Sequence, residues 1–367
     1  MSTLFQNRQD RTLYVHDGAA NYIVAYVFQI ILQFLFSIII IATMTLDERN
    51  AFSTTLTYTI IICIVNELSL ALTPLSYSKV LGQNYYKDMG FKKKISILDV
   101  VMLIGMTIFL IVAFSPIATW IAEIFINSGY NPKTLSNVVI DSPLTLFLTT
   151  IFLAILPACF EEILYRGMIA RAFSRKSYIF AIFMGAFMFA IMHGNPIQFV
   201  HQFMLGIVCS VVYFATGSIY ASIIVHFTNN FIALVGGYIT YLHPFEIPLY
   251  ANILMVIFGI ILLTILLYVF VVLKNKDATI KGGLKSIEGV FKKTFASNRA
   301  DYILEDASKT IEQKSEETGL EEMKEVYTTE MDLRSQDERF KGRRAMIFAL
   351  VLSVAMLVIN TILGYMS

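Results

Sequence analysis

Residues 143–167 read PLTLFLTTIFLAILPACFEEILYRG: Pro143 to Phe160 carries no charge, and Glu161, Glu162 and Arg166 follow at once. About 20 mostly apolar residues suffice for a helix to cross a bilayer, and this run qualifies. An acid in such a span costs a few kcal/mol on insertion scales, so two adjacent carboxylates here point to a function. The stretch therefore sets both the fold class and the place to look for chemistry.

The rest of the chain agrees with a lipid solvent. Of 367 residues 56% are hydrophobic and 15% charged, with mean hydropathy +0.66. Soluble chains carry about 25% charged residues, so there is too little polar surface here to cover a core in water. A net charge of +1 gives no reason to expect nucleic acid as a partner. Apolar segments recur near 21–44, 57–78, 97–119, 144–165, 178–193, 197–215, 218–241, 248–273 and 345–365. Only helices satisfy their backbone within one segment, and no series of alternating ten-residue strands competes. The expected fold is all-α, a polytopic membrane protein of about nine helices, eight to nine, around an intramembrane active-site cavity. The segments 178–193 and 197–215 are the least secure as full spans, because Gly194-Asn195-Pro196 is short enough to be a re-entrant turn.

Charge placement divides the chain. Residues 274–344 hold 30 of the 55 charged side chains. This predicts a cytoplasmic N-terminal segment 1–20, an eight-helix domain 21–273, a charged cytoplasmic insert 274–344 and a final helix within 345–367. In the insert, Leu284, Ile287, Phe291 and Phe295 fall at helical spacing beside Lys281, Lys285, Lys292 and Lys293, a pattern suited to an anionic leaflet or to packing on the protein itself. Lys79, Lys87, Lys92, Lys93, Lys94, Arg171, Arg175, Lys176, Lys274 and Lys276 share one side under strict alternation. The positive-inside rule makes that side the cytoplasm and puts the N-terminus there, in a cell membrane. Cys63, Cys159 and Cys209 lie in apolar runs and read as small buried hydrophobes.

From Ser177 to Phe245 there is no Asp, Glu, Lys or Arg, yet His193, His201 and His226 occur in that stretch. Successive helical residues turn by about 100°, so Glu161 and Glu162 point different ways, while Glu162 and Arg166 share a face at i, i+4. Glu162 thus has a built-in partner, and Glu161 is left free to act as a general base. His226 and Asn230 are likewise i, i+4, two neutral donors that could form an oxyanion hole, each such donor being worth about 3 kcal/mol to a transition state. Ordinary interhelical hydrogen bonding, at about 0.6 kcal/mol per contact, would also account for them. His193 closes a helix one turn after Phe189, where a histidine commonly satisfies the helix end.

Glu-Glu-x-x-x-Arg at 161–166, Phe-x-x-x-His at 189–193 and His-x-x-x-Asn at 226–230, in that order, resemble the three motifs of the CPBP family of intramembrane glutamic endopeptidases, which includes type II CAAX prenyl proteases and bacteriocin-processing or immunity-linked proteins. The resemblance spans about 140–241 and leaves the insert and last helix outside the family's core. It implies that Glu161 activates water, that His193 helps hold it, that His226 and Asn230 stabilise the oxyanion, and that Glu162 and Arg166 position the site. Tyr165 stands where Phe is frequent in the family. No cofactor is implied. A catalytic zinc on Glu161, His193 and His226 is the competing enzyme reading, although His-Glu-x-x-His is absent. A proton relay or a non-proteolytic immunity protein would use the same polar groups. The expected partners are membrane lipids and a hydrophobic or lipidated peptide or protein. Counting helical rise places Glu161 and His226 in the inner half of the membrane and His193 nearer the outer half, unless its helix is displaced or broken.

Overall fold

The computed structural model describes residues 13–80, 88–131, 139–274 and 321–366. Its elements are α1 (Val15–Thr43), α2 (Leu46–Ser53), α3 (Leu56–Val80), α4 (Ile97–Asn127), α5 (Pro143–Phe173), α6 (Tyr178–Met192), α7 (Phe199–Thr216), α8 (Ile219–Leu242), α9 (Leu249–Lys274) and α10 (Glu321–Met366). All nine apolar segments are helical, and the short α2 adds a polar turn between the first two. Among the described residues eight helices are long and apolar enough to cross a membrane. The exception is α6: its 15 residues rise only about 22 Å, against a hydrocarbon core of about 30 Å. The fold is thus an all-α polytopic membrane protein, with α6 and α7 forming the hairpin that the short Gly194 turn suggested.

Local signals fix several boundaries. Ser96 and Asp99 form a reciprocal capping box at the start of α4, and the hydroxyls of Ser142 and Ser177 accept the Thr145 and Phe180 N–H groups to start α5 and α6. Gly217, at φ +67°, ends α7 in the left-handed region and allows the immediate turn into α8.

Small residues set the closest helix contacts, as expected where lipid supplies no hydrophobic drive between helices. A Cβ on Gly259 of α9 would lie 2.6 Å from the Ala113 nitrogen of α4, and one on Gly206 of α7 would lie 2.8 Å from the Ala186 Cα of α6. The outermost helices α1 and α10 are joined by a buried 2.6 Å hydrogen bond between Tyr22 and Ser353 hydroxyls. Ile257, Phe258, Ile261 and Ile265 of α9, and Ile347, Phe348 and Val351 of α10, point outward and exposed, an apolar girdle that makes sense only in lipid.

Contacts also sort the connections into two ends. At one end the Ser218 hydroxyl donates to the Lys93 carbonyl, Lys274 pairs with Asp99, and the Arg175 guanidinium lies over the Tyr14 ring. At the other, Asn131 N–H donates to the Gly364 carbonyl and Gly194 packs against Asn360. The last span does not begin afresh after the charged insert, because α10 runs unbroken from Glu321 to Met366. The amphipathic pattern over 281–295, most of the 1–20 segment, Lys87 and Lys276 lie outside the described residues. Cys63 and Cys209 are buried, and all three cysteines are free.

Candidate active site

The helix that carries the two acids is not regular. Within α5, Thr150–Ile155 and Tyr165–Ala170 are π turns flanking the α-helical Leu156–Leu164. Pro157 explains the first. It has no N–H, so the carbonyls four and five residues back, Leu153 and Phe152, lose their helical donor. Other helices supply replacements: the Asn230 amide of α8 donates to the Leu153 carbonyl at 3.3 Å, and the Cys63 thiol of α3 donates to the Phe152 carbonyl at 2.6 Å. The break one turn before Glu161 thereby ties α3 and α8 to α5.

Glu162 is fully buried and neutralised as its spacing predicts. Its Oε1 accepts from Arg166 at 2.7 Å and from His226 Nδ1 at 2.9 Å. Arg166, 1% exposed, also donates to the Gly206 carbonyl at 2.9 Å. The carboxylate meets the charge of the buried guanidinium, and both terminal nitrogens have acceptors while Nε has none among the described groups. Gly206 thus has two jobs: its missing side chain lets α7 approach α6, and its carbonyl accepts Arg166.

The contact with Glu162 fixes the His226 ring. A carboxylate can only accept, so Nδ1 carries the proton and Nε2 is left facing Glu161, 3.9 Å from its Oε2. With this tautomer the neutral ring has a lone pair at Nε2, and only the protonated ring offers an N–H there. Glu161 itself is 14% exposed at its side chain, while Glu162 is not exposed at all. The two adjacent acids occupy different environments, as the 100° turn between them requires.

His193 reaches this level through Phe189. The Phe189 ring is fully buried and meets His193 at 4.9 Å, His226 at 5.6 Å and Tyr165 at 5.0 Å between centroids, with the Arg166 guanidinium 4.9 Å over its face. The end of α6 thus sits beside the polar residues of α5 and α8, although counting rise along the helix put His193 nearer the outer half. The His193 Nδ1 is 2.9 Å from the Phe189 carbonyl, an acceptor, so Nδ1 donates and Nε2 takes no part in that bond.

Asn230 and Asn229 divide the amide roles. Asn229 is buried, receives His201 Nε2 at 2.9 Å and donates to Asn230 Oδ1 at 3.1 Å. Asn230 is half-buried on the His226 face and spends one of its two amide protons on Leu153. Of the two, Asn230 is the one bonded to α5, through the Leu153 carbonyl.

One acid was missed. Glu67 of α3 is 4% exposed and its carboxyl lies in hydrogen-bonding reach of Glu161. The signal was available, since an acid in the middle of the 57–78 span is itself unusual. Among the described residues no three His, Cys, Asp or Glu side chains are grouped so as to hold a metal ion.

Residues 143–232 match the family of Rce1-like type II CAAX prenyl endopeptidases. The matched segment runs from the start of α5 into α8 and contains all three motifs, the Pro157 break and the hydrogen bonds between them. That segment is similar to the intramembrane proteases of this family. No curated protein and no solved structure matches the chain.

Proposed function

We propose that this protein hydrolyses a peptide bond in a hydrophobic, lipidated or leader-bearing peptide or protein within the membrane, with water activated by Glu161. The observation that carries this reading is the asymmetry of the acid pair: Glu162 is consumed by Arg166 and His226, whereas Glu161 is partly exposed and faces His226 Nε2 at 3.9 Å. A base needs a free lone pair and access to water, and Glu161 has both.

In this scheme Glu161 takes a proton from water as the hydroxide adds to the peptide carbonyl carbon. The His193 Nε2 lone pair accepts the water's other proton in a hydrogen bond and orients it. The tetrahedral oxyanion is met by the remaining Asn230 amide proton and by His226 as an imidazolium held by Glu162. The C–N bond then breaks, Glu161 returns its proton to the leaving amine, and no covalent intermediate forms. Helical rise puts the group about 12–18 Å from the bundle end that bears Lys93 and Arg175, so the site opens nearer that end, which we assign to the cytoplasm of a cell membrane.

Cleavage of a prenylated or leader-bearing peptide by purified protein in proteoliposomes tests the scheme. Glu161→Gln should abolish turnover while still binding the peptide, and mass spectrometry of the trapped peptide would name the substrate. Full activity in Glu161→Gln overturns the assignment, and activity lost on prolonged chelation would favour the zinc reading.

A further inference from the structure

Glu67 is the one acid of the cluster that the proposed mechanism leaves unused. It sits on α3, one turn after Cys63, on the face that packs against α5. Its neighbour Asn66 accepts a 2.8 Å hydrogen bond from Gln33 of α1, which braces this part of α3 from behind. The Glu67 and Glu161 carboxyls are in hydrogen-bonding reach of each other. Oε2 of Glu67 and Oε2 of Glu161 are both buried without a donor from any other described side chain or backbone group. The basic groups nearby are committed elsewhere: Arg166 to Glu162 and the Gly206 carbonyl, and His226 Nδ1 to Glu162.

Two carboxylates have no proton to offer each other, so a hydrogen bond between them exists only if one carries a proton. Two charges at that separation away from water would repel strongly, and carboxyl pairs in such places share a proton instead. Exposure decides which partner meets substrate. Glu161 retains 14% side-chain exposure and Glu67 only 4% overall, so Glu67 lies behind Glu161.

We propose that Glu67 is a positioning residue that shares one proton with Glu161, fixing its carboxylate so that the free oxygen faces the attacking water. The inference rests on Glu161 being the general base. The proton count closes without involving Glu67 in transfer: Glu161 takes the water proton and gives it to the leaving amine, and the shared proton stays in the pair throughout.

Two measurements test it. Infrared difference spectra of the resting protein in liposomes should show a protonated carboxyl band that disappears in both Glu67→Gln and Glu161→Gln and persists in Glu123→Gln, a change at an exposed acid of α4. That readout needs no proteolysis, so it stands or falls separately from the proposed function. In turnover assays Glu67→Leu should lower kcat about 10- to 100-fold with KM unchanged, as for loss of a hydrogen bond to a charged group, whereas Glu67→Gln, whose amide can still donate to Glu161, should keep kcat within about threefold. Absence of the band, or its survival in Glu67→Gln, overturns the shared proton. Equal kcat in wild type, Gln and Leu variants overturns the positioning role, and if the Leu variant does not fold, the Gln variant and the spectrum still decide.

Discussion

At the residue scale the chemistry turns on which polar groups are already spoken for. Glu162 accepts from Arg166 and from His226 at one oxygen and is sealed from solvent. Removing Arg166 takes the guanidinium from that buried carboxylate, which keeps only the His226 contact, and leaves the Gly206 carbonyl to the Ser210 hydroxyl. Arg166→Ala is therefore expected to destabilise the fold by about 3–5 kcal/mol, read as a large drop in thermal unfolding temperature in detergent. A variant that unfolds at the wild-type temperature would contradict the buried network. Asn230→Ala should behave differently. It removes the proposed oxyanion donor, with an expected loss of about 100-fold in kcat, while the loss of one 3.3 Å bond to Leu153 should lower stability by only about 1 kcal/mol. The Glu162–Arg166 pair was legible in the sequence because i, i+4 spacing on one helix is a local fact. The Glu67–Glu161 pair was not, because it depends on how α3 meets α5, and periodicity says nothing about which faces of two helices touch.

At the element scale, α5 is shaped by a residue that carries no functional group. Pro157 opens the helix just before the acids and hands two carbonyls to α3 and α8. Pro157→Ala restores an N–H at that point, so the helix can close its own Leu153 or Phe152 carbonyl in competition with Asn230 and Cys63. Loss of the π turn would shift the register of Glu161 by up to one residue, about 100° of rotation. The expected outcome is at least about a 10-fold loss of turnover without loss of thermal stability, since proline inside a helix is itself costly. Unchanged activity would show that the break does not aim the acids. Gly206 gives the matching test from α7. Its Cβ would meet the Ala186 backbone at 2.8 Å, so Gly206→Val must push α7 from α6 and pull a carbonyl off Arg166. Overpacking of this kind costs about 1–3 kcal/mol. Helix existence and most boundaries could be read from apolar run length, but α6 could be judged too short to cross only once its end was seen beside Arg166 and His226.

At the scale of the whole molecule, the charges that the sequence spreads over several loops collect at one end of the bundle. Lys93 and Lys94, Arg171 and Arg175, Lys274, and Lys341 with Arg343 and Arg344 lie on connections or helix ends that meet there, as the contacts of Ser218 with Lys93, Lys274 with Asp99, and Gly342 with Val15 show. The opposite end gathers Asn127, Ser128 and Tyr365 and is poor in Lys and Arg. Alternation along nine helices predicts this sorting, and α6 keeps it without a full crossing because the turn at Gly194 sends α7 back to the basic end, where Ser218 meets Lys93. By the positive-inside rule we propose that the basic end faces the cytoplasm. Single cysteines at exposed Lys94 and Asn127 provide the check, against a background in which the native thiols are wholly or partly buried. In intact cells a membrane-impermeant maleimide should label Asn127→Cys and reach Lys94→Cys only after permeabilisation. The reverse pattern would turn the protein over and move the proposed site's opening to the outer face, and labelling of both in intact cells would mean that α4 does not span.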